Sequence, residues 1–115
     1  MTGWANAEQA RRWNGESGRN WIAHRERHLA GHRRLVSHLF AAAAISPGER
    51  VLDVGCGCGE TTIAAARAAR RALGLDLSGP MLRVARRLAA EAGTANACFV
   101  QGDARPARCA RAAAT

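Results

Sequence analysis

Residues 51–62, VLDVGCGCGETT, set an acid and three alternating glycines at the end of an apolar run. Asp53, Gly55, Gly57 and Gly59 therefore put bare backbone beside a negative charge. Main chain that bare lets a ligand lie directly against peptide groups, as nucleotide-type ligands do beyond the carboxyl ends of parallel strands. Two further acids recur in the same setting. Asp76 closes the apolar run ALGLD, about twenty residues after the first acid, where a carboxylate can accept from both ribose hydroxyls. Asp103 follows the run ACFVQG. Apolar runs that each finish on or beside an acid, three times in succession, are a more specific signal than glycine spacing alone.

These residues need strands to carry them and helices to cover the strands. RVLDVG predicts a first strand, residues 60–70 an alanine-rich helix, and ALGLDLS a second strand. Ser78 is a natural N-cap, and Pro80 fits the first turn of the next helix. Leu82, Ala85, Leu88 and Ala89 give that helix its apolar face, Gly93 ends it, and ACFVQGDA makes a third strand. Strands alternating with helices at this spacing predict right-handed βαβ crossovers and a parallel sheet. Upstream, residues 5–13 predict a short helix stopped at Asn14 and Gly15. A longer helix is predicted from about Trp21 to Ala44, because Ile22, Leu29, Val36 and Ala43 recur at every seventh position. Leu35, Leu39 and Phe40 widen that stripe, and Ser46, Pro47 and Gly48 end it. The expected organisation is a helical cap over 1–46, a cofactor-binding βαβαβ half-domain over 47–104, and a disordered or aberrant tail over 105–115.

Two cofactor classes suit such a loop, and one residue separates them. The dinucleotide fingerprint is G-x-G-x-x-G, with the pyrophosphate resting on a helix N-terminus. Here the third glycine arrives one residue early and Glu60 follows it. A carboxylate at the mouth of a phosphate site repels a pyrophosphate. It does not repel S-adenosylmethionine, which has no phosphate and carries a positive sulfonium and an amino group.

VLDVGCGCGETT, ALGLDLSGPML and ACFVQGDA resemble the first three motifs of class I S-adenosylmethionine-dependent methyltransferases, in the branch grouped with small-molecule and quinone-pathway enzymes. RRWNGESGRNWIAHRERH resembles the helical N-terminal cap of a bacterial part of that branch. The resemblance implies an α/β fold, the N-terminal half of a Rossmann-like doubly wound parallel sheet with strands ordered 3-2-1, preceded by the cap. It implies that Gly55 and Gly57 lie against the methionine portion of the cofactor and that Asp53 reaches its ammonium directly or through water. Asp76 would take the ribose, Leu77 and Met81 would pack on adenine, and Asp103 with the Ala104 amide would read the adenine edge. Gly59 belongs to the same loop, and Trp13 and Asn14 match cap positions near the cofactor. No catalytic residue is assigned.

The net charge of +8 raises the question of a nucleic-acid partner, and its distribution argues against one. Residues 1–46 hold seven Arg against three Glu, residues 47–104 seven Arg against six acids, and the last eleven residues three Arg and no acid. The glycine-bearing segment is thus nearly neutral, with no basic stripe interleaved with aromatics. No stretch reaches the roughly 18 apolar residues of a membrane span, and no signal peptide is recognisable, so a cytoplasmic protein is expected. Cys56, Cys58, Cys98 and Cys109 lack zinc-knuckle spacing and read as small reduced residues. His24, His28 and His32 share a helical face but have no carboxylate or cysteine at a matching position, so no metal is expected.

The family's sheet continues past a third strand, whereas RPARCARAAAT has neither strand alternation nor a capping signal. The expectation is a truncated methyltransferase with impaired activity, its first strand left as an exposed apolar edge. It would transfer methyl to a small-molecule acceptor that the residues do not identify. The alternatives are a non-catalytic cofactor-binding half completed by a partner chain, and an NAD-binding Rossmann protein.

Overall fold

A computed structural model describes residues 6–104 of the chain. The expected tail over 105–115, with Cys109, lies outside the described residues. Three helices come first: α1 (Ala7–Asn14), α2 (Glu16–Ala23) and α3 (Arg25–Ala43). Then β1 (Arg50–Val54), α4 (Glu60–Ala68), β2 (Arg71–Asp76), α5 (Gly79–Glu91) and β3 (Ala97–Gln101) alternate as expected. The sheet runs β1-β2-β3 with both pairs parallel, in the predicted 3-2-1 order.

Alternation along β1 decides what each face meets. Val51 packs with Ala65 and Ala66 of α4, and Asp53 accepts a hydrogen bond from Thr62 of α4 at 2.7 Å. The intervening Leu52 and Val54, on the other face, remain 42% and 57% exposed, and among the described residues β1 is an edge strand of the sheet. In β2 the residues Ala72 to Leu75 are all buried, as for a central parallel strand. Helices α4 and α5 meet over the sheet, where Ile63, Leu82, Ala85 and Ala89 close on Phe99 of β3. Helix α5 begins as predicted: Ser78 Oγ accepts from the Met81 amide at 3.2 Å, with Pro80 in the first turn.

The upstream helices depart from the sequence expectation. The predicted helix from Trp21 to Ala44 is two helices broken at His24 (φ −110°, ψ 22°), and α2 starts five residues earlier than Trp21. No proline or glycine marks this break. The His24 ring nitrogen lies 2.9 Å from the Asn20 carbonyl oxygen, so the side chain occupies a backbone acceptor at the break. The apolar stripe of α3 is also not buried as its periodicity suggests. No residue of α3 is fully buried, and Leu35 and Leu39 are 67% and 56% exposed. Only Phe40, with Ile45 beyond the helix, packs against the α4 core. The helix ends at Ala44 in the left-handed region (φ 48°).

Candidate functional site

The loop from β1 to α4 shows why its glycines alternate. Gly55, Gly57 and Gly59 all have positive φ (74°, 57° and 85°), a conformation that L side chains rarely adopt. The turn is then tied to β2. Both Gly55 and Cys56 donate their amides to the Leu75 carbonyl (2.7 and 3.1 Å), and Gly57 donates to Asp76 Oδ2 at 2.7 Å. Asp76 Oδ1 accepts from the Ser78 amide at 2.9 Å. One carboxylate at a strand end therefore fixes the glycine turn and the start of the next loop together.

Asn14, the last residue of α1, anchors that loop from the other side. Its amide nitrogen donates to the Leu77 carbonyl (2.8 Å), and its oxygen accepts from the Gly79 amide (2.8 Å) and from Gln101 (3.0 Å). Gly18 of α2 makes the approach possible. A Cβ there would stand 2.1 Å from the Trp13 carbonyl oxygen and 3.0 Å from Ser78 Oγ.

These contacts surround a cleft of about 520 Å³ at the carboxyl ends of the strands. Gly55, Gly57, Asp76, Leu77 and Met81 form its inner wall, Asp103 and Ala104 its rim after β3, and Trp13 contributes from α1. Two of the sequence-predicted site residues do not line it. Asp53 hydrogen-bonds Thr62 beneath α4 and is not itself part of the cleft wall. Gly59 caps α4 instead: a Cβ there would come within 2.8 Å of Ala85 and Phe99, so its bareness serves helix packing. Asn14 likewise acts through the loop it anchors.

The opposite wall comes from the upstream helices. Trp21, Arg25, His28, Leu29, His32 and Val36 line the cleft from α2 and α3. Trp21 and His28 are seven residues apart, about 10 Å along a continuous helix. Bent at His24, the chain stacks their rings at 3.8 Å and 6° between planes, with Trp13 edge-on to Trp21 at 6.1 Å. The signal was present in the sequence. Positions 25, 28, 32 and 36 share a helical face, and they bring the polar histidine row and the apolar stripe to one surface.

Burial sets the titration behaviour here. Asp53 is pushed above the ordinary carboxylate range by desolvation; the Thr62 hydroxyl offsets part of this, and the charge of Asp76 adds to it. Burial pushes the Cys56 thiol up to about 12 and the Cys58 thiol up to about 11, with nearby carboxylates adding to both. Both shifts favour the neutral thiol over the reactive thiolate. Glu60, at the first position of α4, faces Arg25 across the cleft with Arg25 Nη1 3.6 Å from its Oε1.

The model of the "Methyltransferase domain" family matches residues 51–114, more than half of the chain. The chain belongs to the methyltransferase domain family. A 23S rRNA (uracil(1939)-C(5))-methyltransferase, RlmD, of Xanthomonas campestris is 32% identical over 71 residues, covering 62% of this chain and 16% of that protein. The crystal structure of the YcgJ protein from Bacillus subtilis superposes with a TM-score of 0.62 at 33% identity, covering 64% of this chain and 31% of its own. A SAM-dependent methyltransferase from Geobacter sulfurreducens, solved with S-adenosyl-L-homocysteine, gives a TM-score of 0.54 at 38% identity, over 60% of this chain and 28% of that one. The chain thus spans less than a third of each of these relatives. Among the described residues, no helix is long and apolar enough to cross a membrane.

Proposed function

We propose that the cleft binds S-adenosylmethionine and that the chain is the cofactor-holding part of a cytoplasmic methyltransferase acting on a small-molecule acceptor. The observation that carries this reading is that Asp76, Asp103 and the Gly55–Gly57 turn converge on one cleft beyond three parallel strands. Its size suits a ligand of a few hundred Å³. Gly57 leaves room that a side chain would take, since a Cβ there would stand 2.9 Å from Met81 Cε. The α4 N-terminus, where a pyrophosphate would rest, carries Glu60.

When bound, S-adenosylmethionine supplies an electrophilic methyl group on a sulfonium, ready for transfer to a nucleophile. The residues of the chain hold and orient it. Each Asp76 oxygen has a lone pair left after accepting from Gly57 or Ser78, and these suit the ribose hydroxyls. Leu77 and Met81 offer apolar contact to adenine, Asp103 and the Ala104 amide its polar edge, and Gly55 and Gly57 a bare path for the methionine portion. Trp13 closes the cleft from a cap formed by residues 1–46, over a cofactor half formed by 47–104. The Geobacter relative, solved with S-adenosyl-L-homocysteine, supports this class of ligand.

The aromatic and aliphatic wall of Trp13, Trp21, Leu29 and Val36 favours a small apolar acceptor. An RNA acceptor is the second reading, favoured by the rRNA methyltransferase among the relatives. Isothermal titration with S-adenosylmethionine, S-adenosylhomocysteine and NAD tests the cofactor. The first two are expected to bind with one-to-one stoichiometry and NAD not at all; binding of NAD alone overturns the proposal.

A further inference from the structure

Residues 47–104 are nearly balanced in charge, but folding gathers three of their seven arginines in one place. Arg50 opens β1, Arg70 ends the turn after α4, and Arg71 opens β2. Arg50 and Arg71 are register partners in the parallel β1–β2 pair, so their backbones lie one strand spacing, about 4.8 Å, apart. All three line a depression of about 430 Å³, with Ala95 and Asn96 completing its wall. It lies at the amino ends of the strands, the end of the sheet opposite the glycine turns.

The backbone that carries these side chains is pinned. The Arg70 amide donates to the Glu49 carbonyl at 2.8 Å, and the Arg70 carbonyl accepts from Asn96 Nδ2 at 3.2 Å. The Ala72 amide donates to the Asn96 carbonyl at 3.0 Å, and Asn96 Nδ2 also reaches the Ala66 carbonyl at 2.7 Å. Positive charges brought this close repel one another. Among the described residues, neither Arg50 nor Arg70 has an ion-pair partner to offset that. Glu49, next in sequence to Arg50, has Oε1 on the Ser46 amide at 2.7 Å, and Glu91 faces Arg87 at 3.8 Å. A fixed, concave surface of guanidinium groups is complementary to an anion with several acceptor oxygens. No aromatic ring lines the depression, so it offers nothing on which a base could stack.

We propose that this depression is a second binding site, which takes a phosphoryl group through the guanidinium forks of Arg50, Arg70 and Arg71. The inference is independent of the cofactor reading, because it uses the other end of the sheet. Such a group comes either from a free polyphosphate anion or from the backbone of an RNA strand, read by charge and not by base.

Inorganic pyrophosphate and a fluorescein-labelled oligouridylate are the two probes, titrated into the full chain at low ionic strength. Pyrophosphate is followed by calorimetry and the oligouridylate by fluorescence anisotropy. Saturable pyrophosphate binding without oligouridylate binding assigns the site to a free anion. Oligouridylate binding that pyrophosphate displaces assigns it to an RNA backbone. In either case Arg50→Gln and Arg70→Gln are each expected to weaken binding about fivefold or more. Arg33→Gln and Arg34→Gln remove the same charge from exposed positions on α3 and should leave it within about twofold. Pyrophosphate should move the backbone amide signals of Arg70, Arg71, Ala95 and Asn96 and leave those of Gly55 and Gly57 in place. Equal losses in the α3 variants would reduce the effect to net charge and overturn the inference. So would amide shifts confined to the glycine turn, oligouridylate binding that pyrophosphate does not displace, or no saturable binding of either probe.

Discussion

Helices α2 and α3 are separated by a single residue, yet they are held to the molecule in opposite ways. Helix α2 contributes a buried glycine, Gly18, which sits against the Trp13 carbonyl and Ser78; beside it, Asn14 of α1 hydrogen-bonds the β2–α5 loop and β3. Helix α3 is more than twice as long and carries the more regular apolar stripe, but it buries no residue fully and leaves Leu35 and Leu39 exposed. Close steric fit and paired polar groups fix the first region. The second rests on Phe40, the Trp21–His28 stack and the Arg25–Glu60 pair. Apolar periodicity alone is thus a poor guide to which helix is anchored.

The sharpest way to break this contrast is Gly18→Ala. A methyl group 2.1 Å from a backbone oxygen forces α1 and α2 apart, and urea unfolding is expected to show a loss of about 3 kcal/mol. The same substitution at Gly31 of α3, where a Cβ would meet nothing within 4 Å, should not destabilise. Asn14→Ala comes next. It removes the side-chain acceptor of the Gly79 amide and one of the two side-chain donors to the Leu77 carbonyl, and a loss of about 2 kcal/mol is expected in the same measurement. Ala44→Gly relieves a left-handed alanine at the α3 C-terminus and should raise stability by about 1 kcal/mol, seen as an upward shift in Tm. Leu39→Gln on the exposed stripe should change stability by less than about 0.5 kcal/mol. A large loss there would show that α3 is anchored after all.

Legibility in the sequence follows the same division. The strand ends could be read because their signals are local: an apolar run stops, an acid follows, and glycine supplies the positive φ of the turn. Ser78 and Pro80 announced α5 for the same reason. The packing of Asp53 and Gly59 was not legible, because motif position does not say which way a strand residue points or which helix a glycine must pass. Asp53 alternates with Leu52 and Val54 and so falls on the α4 face. The contributions of Arg25, His28 and His32 depend on a bend at His24 that no breaker residue signals. Asn14 was noticed as a family position, but its bonds to Leu77, Gly79 and Gln101 span 63 to 87 residues of chain, beyond any local pattern.

Backbone amide NMR of the ¹⁵N-labelled chain, recorded as S-adenosylhomocysteine is added, tests the central claim most directly. Saturable shifts are expected at Gly55, Gly57, Leu77, Met81 and Asp103, with Arg50, Arg70 and Arg71 at the opposite strand ends unmoved. Shifts confined to those arginines, or none at saturating ligand, would contradict the claim that the carboxyl ends of these three strands hold the methyl donor.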